Sequence, residues 1–111
     1  MTERVCKIAV CAPAEFAERI MDSLADLAGA VYPGYDRVFS LTGVRGTWRP
    51  LEGSNPYIGA PGEVAVADEV RIEFVAREAD AGEAVRRILG IHPYEEPAID
   101  VIPMIGWKGL L

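Results

Sequence analysis

The spacing of apolar positions changes from segment to segment along the chain, and each change marks an element. Val5 to Cys11 is short, apolar and in part β-branched, and it stops before Pro13, which predicts a strand. From Pro13 to Ala28 the apolar residues Phe16, Ile20, Leu24 and Leu27 recur at four and three, while Glu15, Glu18, Asp22 and Asp26 lie mostly off that stripe. This predicts an amphipathic helix, with Pro13 at its start, Glu15 near the positive end of the dipole and Gly29 as its stop. Val31 to Tyr35, with Pro33 and Gly34, is a connection. Asp36 to Thr47 is expected to be a long strand. Val38, Ser40, Thr42 and Val44 share one of its faces, Phe39 and Leu41 break into the other, and Gly43 and Gly46 suggest bulges. Trp48 to Gly62 breaks the pattern: three prolines, three glycines, Ser54 and Asn55 surround Trp48 and Tyr57. A loop of about fifteen residues in a compact domain is usually functional, an assembly arm or disordered. Here the aromatics, Leu51 and Ile58 argue for order.

Glu63 to Arg77 returns to strand, and its cleanest part alternates Val70, Ile72 and Phe74 against Arg71, Glu73 and Val75. Asp80 and Glu83 have capping-box spacing ahead of a second helix, with Ala84, Val85, Ile88 and Leu89 inward, Arg86 and Arg87 outward, and Gly90 ending it. The turn His92-Pro93-Tyr94-Glu95-Glu96-Pro97 is stiffened by two prolines and is followed by a last strand, Ala98 to Met104. The apolar tail, Ile105 to Leu111, is expected to dock on its own domain or on a neighbour. The order β-α-β-β-α-β predicts an α+β, ferredoxin-like sandwich: an antiparallel sheet with both helices on one face. Residues 1–111 make one domain, with residues 48–62 as its arm or loop. The other face of the sheet has no helix left to cover it. Val75, Phe39 and Leu41 are expected there, and they are too apolar for open water, which suggests oligomerisation through that face or its edges.

Composition narrows the function classes. A net charge of −6 with scattered basic residues argues against a phosphate-backbone binder, so no nucleic-acid partner is expected. Arg86-Arg87 is the one basic pair and is expected to be a solvated helix face. No stretch approaches the roughly 20 apolar residues that span a bilayer. The charges in Met1 to Val10 interrupt any signal-peptide core, so a cytoplasmic protein is expected, with no membrane partner. Cys6 and Cys11 fit a reduced compartment. In a strand they would face opposite sides about 16 Å apart, out of reach of each other.

Two long motifs carry a resemblance. They are Gly46-Thr47-Trp48-Arg49-Pro50-Leu51-Glu52-Gly53-Ser54-Asn55-Pro56-Tyr57-Ile58-Gly59 and His92-Pro93-Tyr94-Glu95-Glu96-Pro97-Ala98, with Val70-Arg71-Ile72-Glu73 between them. From Val5 to Pro103 the chain resembles the small domain inserted in many bacterial members of the Nif-three-like family, often labelled GTP cyclohydrolase one type two homologues. The resemblance implies a fold like the signalling protein PII and the copper-tolerance protein CutA, which form tight trimers with long arms. The approach to Tyr35-Asp36 differs from the family's usual glycine-rich one, and Trp48 stands where phenylalanine is more usual. The family's two-metal site is built from histidines and acids of the larger flanking domain. This chain has one histidine, so that activity is not carried over.

Two candidate sites follow. His92, Glu95 and Glu96 could hold zinc or copper, since imidazole and carboxylate suit both. Against this, His92 could bond backbone at a helix end while the glutamates reach a neighbouring arm. Glu95 with Glu96 could instead be an acid/base pair, although no nucleophile or oxyanion hole stands near them. Trp48, Arg49, Asn55 and Tyr57, with Tyr94, could line a small-molecule cleft between subunits or simply anchor the arm. The leading expectation is a non-enzymatic homotrimeric binding or regulatory module. A CutA-like metal-binding protein and a small hydrolase acting at a subunit cleft are the alternatives.

Overall fold

The computed structural model describes residues 3–111; the first two residues of the Met1–Val10 stretch lie outside them. The elements are β1 (Val5–Ala12), α1 (Ala14–Gly29), β2 (Ser40–Trp48), β3 (Ala65–Arg77), α2 (Ala81–Leu89) and β4 (Ile99–Met104), with 3₁₀ turns at Glu78–Asp80 and Trp107–Leu110. The sheet order is β2-β3-β1-β4 and every pairing is antiparallel. Two βαβ crossovers interleave, each skipping one strand, so both helices pack on one face: the ferredoxin-like α+β sandwich.

Strand alternation builds the core. Ile8 faces Phe74 and Val10 faces Ile72 across the β1–β3 ladder. These four meet Ile20, Leu24 and Ala28 of α1 and Ala84 and Ile88 of α2, all buried. Truncating one of the larger members, such as Leu24, costs about 2–5 kcal/mol in such a setting. Cys6 lies in this core and Cys11 on the opposite face, both as free thiols. Among the described residues no helix is long and apolar enough to cross a membrane.

Several expectations give way here. Residues 36–39 are not strand. The main chain at Tyr35 and Asp36 crosses directly over Gly29, where a Cβ would lie 2.3 Å from the Asp36 Cα. The Arg37 amide donates to the Ala25 carbonyl at 2.9 Å, and Arg37 takes a left-handed φ of 55°. Its guanidinium bonds Asp22 and Glu18 on α1. The segment is thus tied to the helix, and pairing starts at Ser40.

Gly43 and Gly46 make no bulge: the β2–β3 register runs unbroken from Ser40↔Glu73 to Trp48↔Ala65. Phe39 packs edge-on against Phe74, at 5.4 Å between centroids, beside the core. Leu41 is paired with Ile72 and so shares the helix-side face, where it is half exposed at the sheet edge. The uncovered face instead carries Val5, Lys7, Val44, Arg71, Glu73, Val75, Asp100, Ile102 and Met104, by their alternation with the core positions. The Asp80 side chain does not cap α2; it accepts from Arg77 Nε at 3.0 Å. Leu89 is exposed rather than inward.

β3 is longer than its partner on the core side. Val70 to Arg77 pair with β1, whereas Ala65 to Glu69 pair with β2 alone. The β2–β3 hairpin therefore projects past the core, and the molecule measures 51 × 23 × 22 Å. Gly53, Gly59 and Gly62 all have φ between 85° and 103°, the left-handed region that glycine enters freely, and they fold the arm back on itself. A bond from the Gly62 amide to the Pro50 carbonyl at 2.8 Å closes it.

Candidate functional site

The arm, the start of α1 and the turn after α2 meet at one end of the sheet. His92 follows the last turn of α2, and its amide donates to the Ile88 carbonyl at 2.8 Å. The imidazole is buried. Its Nε2 lies 2.7 Å from the Cys11 carbonyl oxygen, and its Nδ1 lies 3.1 Å from the Tyr94 amide nitrogen. A carbonyl can only accept and an amide N–H can only donate. The ring is therefore the neutral tautomer with its proton on Nε2.

Tyr94 is the centre of an aromatic group. Its ring centroid lies 4.8 Å from His92, 5.5 Å from Trp48 and 6.2 Å from Tyr57. Tyr57 in turn meets the edge of Phe16, on the first turn of α1, at 5.9 Å. Trp48, at the end of β2, donates its indole N–H to the Ile58 carbonyl at 3.2 Å, which curls the arm around it. The Asn55 main-chain N–H donates to Glu95 Oε2 at 3.1 Å, a direct polar link between arm and turn. Of the residues singled out in the sequence, the structure thus gathers Trp48, Tyr57, His92 and Tyr94, and joins Asn55 to Glu95. Arg49 and Glu96 stay exposed.

Glu69 was not foreseen. It is 8% exposed, on the uncovered face of β3 where the hairpin leaves the core. Its carboxylate lies over Gly46, where a Cβ would come within 2.2 Å of Oε1, so the glycine is there for space. The Tyr94 hydroxyl is buried beside it without a hydrogen bond of ordinary geometry. Burial first, and then the Glu69 carboxylate, hold the phenol well above the usual tyrosine range, so it stays protonated. The Cys11 thiol is also pushed up, by burial and then by Glu69, with Arg71 opposing. Nothing in the sequence around Asp68-Glu69 marks this carboxylate; the signal is Gly46, whose strand partner Ala67 lies two residues from Glu69 on the same face.

The metal site expected from His92, Glu95 and Glu96 is not assembled. Both imidazole nitrogens are already in use, Glu95 is turned to Asn55, and Glu96 points to solvent. Among the described residues no three His, Cys, Asp or Glu side chains come together as a metal-binding group. The donor set does not fit a resident divalent cation.

No family model matches the chain. It is 36% identical over 105 residues to the GTP cyclohydrolase 1 type 2 homolog of Bacillus subtilis, covering 93% of this chain and 28% of the relative. It is 30% identical over 103 residues to the homolog of Halalkalibacterium halodurans, with the same coverage of 93% and 28%. The chain thus spans little more than a quarter of the length of these curated relatives. Among solved structures, a Bacillus cereus protein related to NIF3 matches 96% of the chain with 27% of its own, at a TM-score of 0.81 and 27% identity. The periplasmic divalent cation tolerance protein CutA of Archaeoglobus fulgidus matches 96% of the chain with 91% of its own, at a TM-score of 0.70 and 23% identity, a likeness of fold. The resemblance carried by the two motifs therefore holds over nearly the whole chain, and the fold is CutA-like.

Proposed function

We propose that this domain is a non-enzymatic, homotrimeric binding or regulatory module of the cytoplasm, with a small-molecule cleft between subunits beside the arm and the His92–Pro97 turn. The observation that carries the assembly is apolar surface left without cover. Val101, Ile102, Ile105, Trp107, Leu110 and Leu111 are exposed along the β4 edge and tail. They continue onto the helix-free face of the sheet through Ile102 and Met104. A run of this kind suits contact between protein chains better than contact with water. The Archaeoglobus fulgidus CutA structure matches the chain over 91% of its own length, so the likeness takes in the whole of that fold. The free thiols Cys6 and Cys11 suit a reduced compartment.

The small-molecule reading is supported by the gathering of Trp48, Tyr57 and Tyr94 near the buried Glu69 carboxylate, an aromatic group with few polar atoms that a neighbouring protomer would close into a cleft. Size-exclusion chromatography with light scattering at micromolar concentration is expected to give three times the protomer mass. A monomer at that concentration removes the trimer. The hydrolase alternative requires turnover in a broad substrate screen that is lost in Glu95→Gln. The hydrogen bond from the Asn55 main-chain N–H that occupies Glu95 here favours an anchoring role for it instead.

A further inference from the structure

We infer that His92 is the pin that fixes the position of the arm, through Tyr94, and that it is not a metal ligand in the folded domain. Zinc and copper take an imidazole through a ring-nitrogen lone pair. In this tautomer the one such pair is on Nδ1, and the Tyr94 amide occupies it at 3.1 Å. The second nitrogen is spent on the Cys11 carbonyl of β1 at 2.7 Å. A cation at His92 would have to remove the Tyr94 amide from the ring. The likeness to a cation-tolerance protein therefore does not extend to this histidine.

What the ring does instead follows from the contacts it sets. With Nε2 anchored on β1, the plane of the imidazole is fixed, and so is the direction from which the Tyr94 amide approaches. That places the Tyr94 ring between His92 and Trp48, with Tyr57 behind it. The next residue, Glu95, then meets the Asn55 amide at 3.1 Å. The two links from turn to arm, one apolar and one polar, thus both depend on a side chain buried against β1. Among the described residues, neither a hydrogen bond nor a ring pair joins His92 to the arm itself. The coupling passes through one hydrogen bond and one ring.

Two measurements on the whole chain test this. A long-range ¹H–¹⁵N spectrum is expected to show the Nε2–H tautomer of His92, with its ring signals unmoved by excess zinc. The Nδ1–H tautomer, or ring signals that shift with zinc, would overturn the inference without any substitution. In His92→Ala, the Tyr94 and Asn55 amides are expected to exchange with solvent about tenfold faster or more, and Trp48 emission (read in a Trp107→Phe background) to move to the red. The amides of Ile8 and Ile72 should stay protected, because local opening leaves the core ladder intact. Unchanged exchange at Tyr94 and Asn55 would show that the arm holds its place without the ring. If the alanine variant does not fold, the tautomer and the zinc response decide alone.

Discussion

Glu69 and Gly46 form the tightest side-chain fit at the candidate site. A carboxyl group on a residue only 8% exposed needs space within the fold, and Gly46 supplies it. Gly46→Ala is expected to cost about 1–3 kcal/mol in chemical denaturation, since the added methyl meets the carboxylate rather than solvent. Adding Glu69→Ala should recover most of that loss, because the obstacle goes with the carboxylate. Two independent losses that simply add would mean that the two positions do not share the space.

At the level of elements, the two helices are joined by charge as well as by the core. Arg87 of α2 donates to Asp26 at 2.7 Å and to the Ser23 carbonyl at 2.9 Å, both on α1. The hydrogen bond from Arg87 holds the Asp26 carboxyl below its ordinary value. A carboxyl depressed in the folded state adds stability above its unfolded pKa of about 3.9, and that contribution is lost as pH falls through the lower folded value. Asp26→Asn should therefore unfold at a lower temperature than the parent at about pH 7. The gap should close in strong acid, as followed by circular dichroism. The elements themselves were largely legible. The period of four and three gave α1, strict alternation gave the core half of β3, and their order gave the sheet. The errors fell where tertiary contacts decide. Segment 36–39 has strand composition, yet Arg37 is taken by the acids of α1 and Gly29 lets the chain cross there. Asp80 has the spacing of a cap but sits nearer Arg77. At the site, prolines and rare residues pointed to the turn, and aromatics to the arm. Glu69 and Phe16, distant in sequence and ordinary in type, could not be placed beside them before the fold was known.

For the whole molecule, the question is what covers the sheet. Ile102 is paired with Lys7, on the face without helices, and is 46% exposed. A carboxylate there would be tolerated in a lone protomer and would be costly against another chain. Ile102→Glu is expected to lower the mass seen by light scattering to that of one protomer, with the far-ultraviolet spectrum unchanged. An unchanged mass would move the interface away from this face.

The central position of β1 has a consequence for synthesis. Its neighbours are β3 and β4, so no earlier segment can pair with it. Val10 waits for Ile72, and Val5 for Met104. At ribosomal rates of about 5–20 residues per second, β1 stays without a sheet partner for roughly 3–12 seconds after Val10 is made. During that time α1 can form, but the strand that carries Ile8 and Val10 has both edges open. Within this domain β1 is thus most open to mispairing before β3 is made, and β4 is the strand that closes its second edge.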